Sequence, residues 1–428
     1  MNGLYLSEQR WLRFVTFAIL YFAQGMPLGL LAIALPAWLA AHGASPALIA
    51  SFIGVTGLPW GLKLFSGPLM DRFSFPPMGR RRPWVMGAQG GLFLSMIAMA
   101  LVPDPLSNVH LLMAIGFIVN MFAAVQDVAV DGMAIDILPR EERGRANAFM
   151  GAGQVMGSSI SAVVASELLN RIGLFGAVLA ASLLVGIIFL FISLVRERLG
   201  ERLLPWTTGS PAWDFRAASD DMIKIVQHLW KVLLFPMSLL LTLVEFLIRF
   251  SGGFLAAIAP IVVVQELGFS NTVFSQWIAA AGVISALFGV AIGPLIDRYG
   301  SERFIRLAII GNVIVALSVG LLPDWWSKPA FLLCVLFVST FAGQIIFISI
   351  IALYMNICWT KVAATQFAIY MALSNLSRSA GAGAYALIVD MFTTADFFLL
   401  MGGAIALSYG IFHFFDLTEH RKRLDMVR

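Results

Sequence analysis

The chain has 428 residues, of which 60% are hydrophobic and only 12% charged. Soluble domains carry about twice that charged share, so the composition excludes an ordinary globular enzyme and calls for a membrane protein. A formal charge of +4 raises the question of nucleic acid, which the placement of the charges answers below, and two cysteines are too few for a disulfide scaffold or a thiolate metal site.

A bilayer core needs about 20 mainly apolar residues per helix. Scanned with that window, the first half gives segments at 12–40, 47–69, 84–102, 110–137, 145–168 and 173–195. The first run follows Arg10 and Arg13 and is too long for the apolar part of a cleavable signal, so it reads as an anchor that stays. The stretch 196–231 is the longest hydrophilic run. From Asp214 it sets Phe215, Met222, Val226, Leu229 and Trp230 on one helical face opposite Asp220, Asp221 and Lys224, which reads as an interfacial amphipathic helix or a plain linker. The second half gives 232–264, 272–296, 304–322, 329–356, 363–389 and 395–416.

The fold class expected is therefore an all-α membrane protein of 12 transmembrane helices in two pseudo-symmetric six-helix bundles. Its parts are an N-terminal bundle over 1–195, a cytoplasmic linker over 196–231, and a C-terminal bundle with a cytoplasmic tail over 232–428. Duplication shows in the punctuation: Gly67-Pro-Leu-Met-Asp71-Arg72-Phe73 follows the second segment and Gly293-Pro-Leu-Ile-Asp297-Arg298-Tyr299-Gly300 the eighth. Segments one and seven carry Gly25, Pro27 and Pro36, and Gly252, Gly253 and Pro260, the mark of broken helices that line a cavity. Nearly all loop Arg and Lys residues fall on one side, with only Arg171 and Lys328 opposite, which makes both termini and the central loop cytoplasmic. That asymmetry accounts for the net charge and removes the case for nucleic acid.

Ionisable residues inside a membrane are costly and so are functional candidates. The fourth segment holds Asn120, Gln126, Asp127, Asp131 and Asp136. At about 100° per residue, Asn120, Asp127 and Asp131 share one face, within about 40°, whereas Asp136 lies about 180° from Asp127. Asp127 sits about 18 Å from the cytoplasmic end, where a carboxylate is placed to bind and release a proton or to contact solute. Asp131 shares that expectation, and for both the alternative is a permanently paired residue that fixes packing. Lys63 comes out at the depth of Asp131, about 12 Å in, either as its ion-pair partner or as a lysine reaching for the interface. In the second half Glu245, Arg249 and Arg378 invite an anionic solute, since two guanidinium groups at one depth can hold a carboxylate or phosphate. The alternative is an Arg249 neutralised by Glu245. Gln24, Gln154 and Ser158 are weaker binding candidates, and the Gly153–Gly157 pair reads as a close-packing motif.

Several of these runs resemble a known family. Gly67 to Phe73, Gly293 to Gly300 and Asp136 to Arg145 resemble the loop signatures of the major facilitator superfamily. Phe22-Ala-Gln24-Gly25-Met-Pro27, Leu58-Pro-Trp60-Gly-Leu-Lys63, Gly79-Arg-Arg-Arg-Pro-Trp84 and Gln126-Asp127-Val-Ala-Val-Asp131 look like the AmpG-type muropeptide permeases and their relatives, the acetyl-coenzyme A transporters and siderophore permeases. The resemblance implies a twelve-helix fold, proton-coupled uptake across the cytoplasmic (inner) membrane, and gating roles for Asp71, Arg72, Asp136, Asp297 and Arg298. It leaves muropeptide-like, siderophore-like and acyl-conjugate solutes open. The fifth segment lacks the Gly-Pro pair of drug–proton antiporters, which disfavours export.

The expected partners are a small solute, protons and surrounding lipid, with no nucleic acid, and a monomer suffices for alternating access. Facilitation or exchange without protons and a non-transporting receptor are the rival functions. No catalytic constellation is apparent: His42, His110, His228, His413 and His420 are scattered without HxxxH-type spacing, so neither enzyme activity, metal nor cofactor is expected.

Overall fold

The computed structural model describes residues 3–73, 75–210, 229–359 and 363–427. The core of the expected amphipathic helix after Asp214, including Phe215, Met222 and Val226, lies outside the described residues.

The first four helices are α1 (Arg10–Ala41), α2 (Pro46–Met70), α3 (Arg82–Ala100) and α4 (Val109–Ile137). The run Arg140–Leu194 is two helices meeting at Gly173, whose φ of 72° no helix allows; these are α5 (140–172) and α6 (174–194). The remaining helices are α7 (Pro236–Glu266), α8 (Asn271–Tyr299), α9 (Ser301–Leu321), α10 (Pro329–Ile357), α11 (Ala363–Ile388), α12 (Thr394–Phe412) and α13 (Leu417–Val427). Among the described residues ten helical runs are long and apolar enough to cross a membrane. One of the ten is the α5–α6 pair, and the 26-residue α11 stands outside them.

The expected breaks in segments one and seven are a correction: neither helix stops. Each widens into one π turn, Leu30–Ala34 in α1 and Ile261–Glu266 in α7. A proline lacks an N–H and its ring crowds the carbonyl four residues back, and a π turn absorbs that mismatch. This applies to Pro36, four residues after Ala32 of the first turn; Pro260 precedes the second turn and does not account for it. The glycines of these helices serve packing instead, as described below.

Contacts divide the chain into two compact units. One comprises 1–44, 55–217 and 270–279; the other 45–54, 218–269 and 280–428. In the first unit α1 packs on α5 and α4, and α3 on α4 and α6, around a core that includes Phe14, Phe17, Leu20, Val130, Met133 and Ile192. In the second, α7 packs on α11 and α12 and α9 on α10 and α12, around Leu241, Val244, Ile309, Ile346, Leu353 and Tyr354.

The α1–α5 and α7–α11 seams are built alike. A Cβ on Gly25 would overlap the Gln154 carbonyl and one on Gly157 the Phe22 carbonyl; a Cβ on Gly253 would overlap the Arg378 carbonyl and one on Gly381 the Phe250 carbonyl. Only residues without a side chain let the backbones come this close. The packing expected of Gly153 and Gly157 is what they do, Gly153 against the Ala18 carbonyl.

At one rim of the first unit, β1 (Leu4–Tyr5) pairs in parallel with β2 (Val195–Arg196). The Arg13 guanidinium binds Glu142 at 2.9 Å and donates to the Leu6 carbonyl at 2.9 Å. Start and end of the six-helix run are thereby tied to each other and to the α4–α5 turn.

Candidate functional site

In the first unit the site grows from a weakness in α2. Pro59 has no N–H to continue the preceding helix, and the chain resumes as a short α segment, Pro59–Leu62, that tightens to a 3-10 turn at Lys63–Phe65. That turn directs Lys63 at α4, with its ammonium 5.6 Å from the Trp60 ring. Lys63 Nζ lies 2.7 Å from Asp127 Oδ2, and Gln24 Nε2 of α1 donates to Asp127 Oδ1 at 2.6 Å. The expected Lys63–Asp131 pair is therefore corrected to Lys63–Asp127. Helical side chains lean toward the N-terminus of their helix, so the lysine stem reaches one turn beyond its own Cα level, and equal backbone depth names the wrong aspartate.

Asp131, one turn along α4, is exposed and accepts a hydrogen bond from the Tyr21 hydroxyl of α1. Among the described residues no cation stands within ion-pair distance of it. The two carboxylates thus differ: Asp127 has a donor on each oxygen and a counter-charge, and Asp131 has a hydroxyl and an open side. Gln126 and Asn120, the amide candidates of this helix, are buried and donate to the Leu20 carbonyl at 2.9 Å and the Thr56 carbonyl at 2.7 Å, while their own oxygens have no partner among the described residues. Gln154 and Ser158 are half-buried on α5, beside the glycine seam.

Asp136 turns the other way, as its angle on the helix predicts. Its carboxylate lies 3.2 Å from Arg80 Nη1 and 3.7 Å from Arg81 Nε, and its carbonyl accepts from Arg198 Nη2 at 3.0 Å. Beside it the fully buried Glu197 caps the start of α3, accepting backbone N–H bonds from Arg80 at 3.0 Å, Arg81 at 2.7 Å and Arg82 at 2.6 Å. Gly79, at φ 102°, leaves room for that carboxylate: a Cβ there would stand 2.7 Å from its carbon. Burial pushes the Glu197 carboxyl above its usual range, against the three N–H bonds that favour its charge. Burial, chiefly, takes the neighbouring Glu201 to about 7. Of the other gating candidates, Arg72 is exposed over the Phe73 ring and Arg298 over the Tyr299 ring, and Asp297 is exposed. The Asp71 side chain lies outside the described residues.

In the second unit Glu245 and Arg249 of α7 face Ser374 and Arg378 of α11, each pair one helical turn apart. Glu245 is 1% exposed, and its Oε1 accepts from Arg249 Nε at 2.7 Å and from Ser374 Oγ at 2.7 Å. The Arg249 guanidinium also lies 5.4 Å from the Phe347 ring of α10. Arg378 is exposed and close enough to Arg249 for the two cations to repel.

Tyr21, Ser374 and Glu197 were missed by sequence reasoning. Tyr21 stands three residues before Gln24 on α1, so helical spacing alone could have placed both on the face that meets α4. Nothing in the sequence separates Ser374 from the other serines of α11. Glu197 was hidden by its place in a polar run that reads as linker. Among the described residues no cluster of three His, Cys, Asp or Glu could hold a metal, and both cysteines are free.

A family model described as Major Facilitator Superfamily matches residues 17–382. The anhydromuropeptide permease of Escherichia coli K12 is 30% identical over 388 residues, covering 88% of this chain and 74% of that one. A putative transporter, AmpG 4, of Rickettsia conorii is 27% identical over 403 residues, covering 89% and 91%. Among solved structures, that of a D-xylose–proton symporter superposes with a TM-score of 0.71 at 17% identity, over 94% of this chain and 97% of that one. A mutant form of the nucleoside transporter NupG gives 0.71 at 12% identity, over 94% and 99%. At such identities these structures speak for the fold alone.

Proposed function

Since the chain belongs to the Major Facilitator Superfamily, among its AmpG-like permeases, and is a multi-pass membrane transporter rather than an enzyme, we propose that it is a proton-coupled importer of a small anionic solute. It works in the cytoplasmic membrane with both termini inside, by alternating access of its two bundles. The name of the Escherichia coli relative makes a muropeptide-like solute the first to try; siderophore-like and acyl-conjugate solutes remain alternatives.

One observation carries the coupling. Lys63 neutralises Asp127, and Asp131 is left one turn away with the Tyr21 hydroxyl and an open side. The three charges sum to one net negative charge that a single proton cancels, and a group that binds a proton reversibly has to be reachable. Asp131 is then the proton carrier, Asp127 the fixed member of the pair, and Tyr21 the residue that orients the carrier. The Arg80–Asp136–Arg81 contacts supply the brace to be released during gating. Arg249 and Arg378 receive the solute.

The test is uptake of a radiolabelled anhydromuropeptide into inverted and right-side-out vesicles under an imposed pH gradient. Asp131→Asn is expected to keep solute binding and exchange and to lose accumulation against a gradient. Tyr21→Phe is expected to shift the pH profile while leaving accumulation measurable. Undiminished accumulation in Asp131→Asn would remove that residue from coupling and favour facilitated transport without protons.

A further inference from the structure

The charge arithmetic of the second unit is unusual for the interior of a membrane protein. Glu245 contributes one negative charge, Arg249 and Arg378 two positive ones, and the three stand together on facing turns of α7 and α11. Arginines within a membrane span are normally matched one for one, because a charge there is costly without a partner; Arg249 is half-buried and Arg378 exposed, so both can be reached by a ligand. Here the match is one short. The Arg249 guanidinium spends only its Nε on Glu245; among the described residues its two Nη groups have no acceptor, and neither has Arg378. Glu245 makes no ion pair with Arg378. Its Oε1 already accepts twice, and its Oε2 is sealed from solvent without a donor.

We propose that the free Nη edge of Arg249 and the guanidinium of Arg378 form a subsite for one singly charged anionic group, a carboxylate or a phosphodiester-like phosphate, and that Glu245 sets the charge of the solute accepted. This rests on the transport reading above and names the substrate class of its solute site. A planar guanidinium edge matches two oxygens of a carboxylate or phosphate. The Arg249 guanidinium carbon lies 5.4 Å from the Phe347 ring centroid, a cation–π contact that uses none of its N–H donors. The arginines alone would favour a dianion. With Glu245 fixed at their side, the residual charge is plus one, so a monoanion brings the site to neutrality and a dianion leaves it one negative charge over. Ser374 holds the Glu245 carboxylate in place and keeps that selectivity independent of the ligand. Glu245 is therefore a specificity-determining residue that acts through Arg249 rather than by touching solute.

The experiment uses the full chain in lipid nanodiscs and three matched probes at constant ionic strength: gluconate with one negative charge, glucarate with two, and neutral glucose. Wild type is expected to bind gluconate at least tenfold tighter than glucarate, and glucose not at all. Glu245→Gln removes the negative charge and keeps the shape, and the preference is expected to invert by tenfold or more. Arg378→Gln leaves the Glu245–Arg249 pair internally neutral and is expected to lose binding of both sugar acids while the protein keeps its wild-type melting temperature within a few degrees. Equal binding of gluconate and glucarate by wild type overturns the proposal, as does an unchanged ratio in Glu245→Gln or a failure of either acid to bind. Asp131→Asn, measured alongside, is expected to leave these ratios intact. Undiminished pH-driven uptake in Asp131→Asn, with the expected wild-type preference for gluconate, sinks the coupling reading alone; equal binding of the two acids by wild type, with uptake lost in Asp131→Asn, sinks this one alone.

Discussion

Removing Lys63 is the most informative single perturbation of the first unit. Its ammonium stands 2.7 Å from Asp127, with side chains only 20% and 8% exposed. At that separation the gross attraction is about 6 kcal/mol for an effective dielectric of about 20. Desolvation of both groups offsets most of it, but breaking such a pair by deleting one partner still costs about 3–5 kcal/mol, because the other charge is left buried. Lys63→Met is worse placed than a simple broken pair. It leaves Asp127 and Asp131 one turn apart with no cation between them. Asp127→Asn is milder: Lys63 already feels the field of Asp131 and can turn to it, so a loss of about 1–2 kcal/mol is expected. The measurement is a double-mutant cycle on Lys63→Met, Asp127→Asn and the double variant, read by denaturant unfolding in detergent micelles. The coupling energy is expected at about 2 kcal/mol or more. A Lys63→Met protein within about 0.5 kcal/mol of wild type, as for an exposed ion pair, would refute the claim that this pair is buried and structural.

The glycine seams predict a sharp contrast. Gly157→Leu and Gly381→Leu drive a side chain into the Phe22 and Phe250 carbonyls and should each lower stability by about 3 kcal/mol or abolish folding. Gly252→Ala meets nothing within 4 Å and should be neutral or slightly stabilising, by up to about 1 kcal/mol; melting temperatures of the three variants check this. At the rim, Glu201 titrates at about 7 in the folded protein, against 4.5 for the free side chain. A raised carboxyl favours the folded state below about pH 4.5 and loses that advantage as pH climbs through about 7, because the unfolded chain gives up its proton first. Glu201→Gln should therefore gain stability over wild type progressively between about pH 5 and about pH 8. A difference that stays flat across that window would contradict the assignment.

Helix placement was legible because a membrane span announces itself: about 20 apolar residues in a row admit few other readings. The gross division of labour on α4 was legible too, since 100° per residue separates Asp136 from Asp127 whatever the neighbours do. What could not be read was which partner each charge meets. Backbone depth points Lys63 at Asp131, whereas its ammonium meets Asp127, about one lysine stem away. Asn120 and Gln126 stand out because they are polar in an apolar segment, and the fold adds that each gives its amide N–H to a backbone carbonyl while its amide oxygen has no partner among the described residues. Glu197 shows the opposite failure. It sits in a polar run, and only the folded chain reveals that three backbone N–H groups of the Gly79-Arg-Arg-Arg loop converge on it.

The two seams explain how a duplicated scaffold can carry opposite chemistry. Gly25 and Gly253 are 228 positions apart, as are Phe22 and Phe250; Gly157 and Gly381 are 224 apart, as are Gln154 and Arg378. Each set makes the same reciprocal contact of glycine with carbonyl, so the correspondence is spatial as well as numerical. It places Tyr21 in the first half where Arg249 stands in the second, and Gln154 where Arg378 stands. The positions flanking the seam are thus the variable ones: a hydroxyl and an amide in one unit, two guanidinium groups in the other. Tight backbone contact fixes the register to within a fraction of an ångström, because a slip by one residue would put a Cβ where none fits. A scaffold held that firmly by four glycines leaves neighbouring side chains free to diverge without shifting the helices. On this argument, exchanging Gln154 for arginine should be tolerated by the fold far better than exchanging Gly157 for alanine, although the first adds a charge and the second only a methyl group.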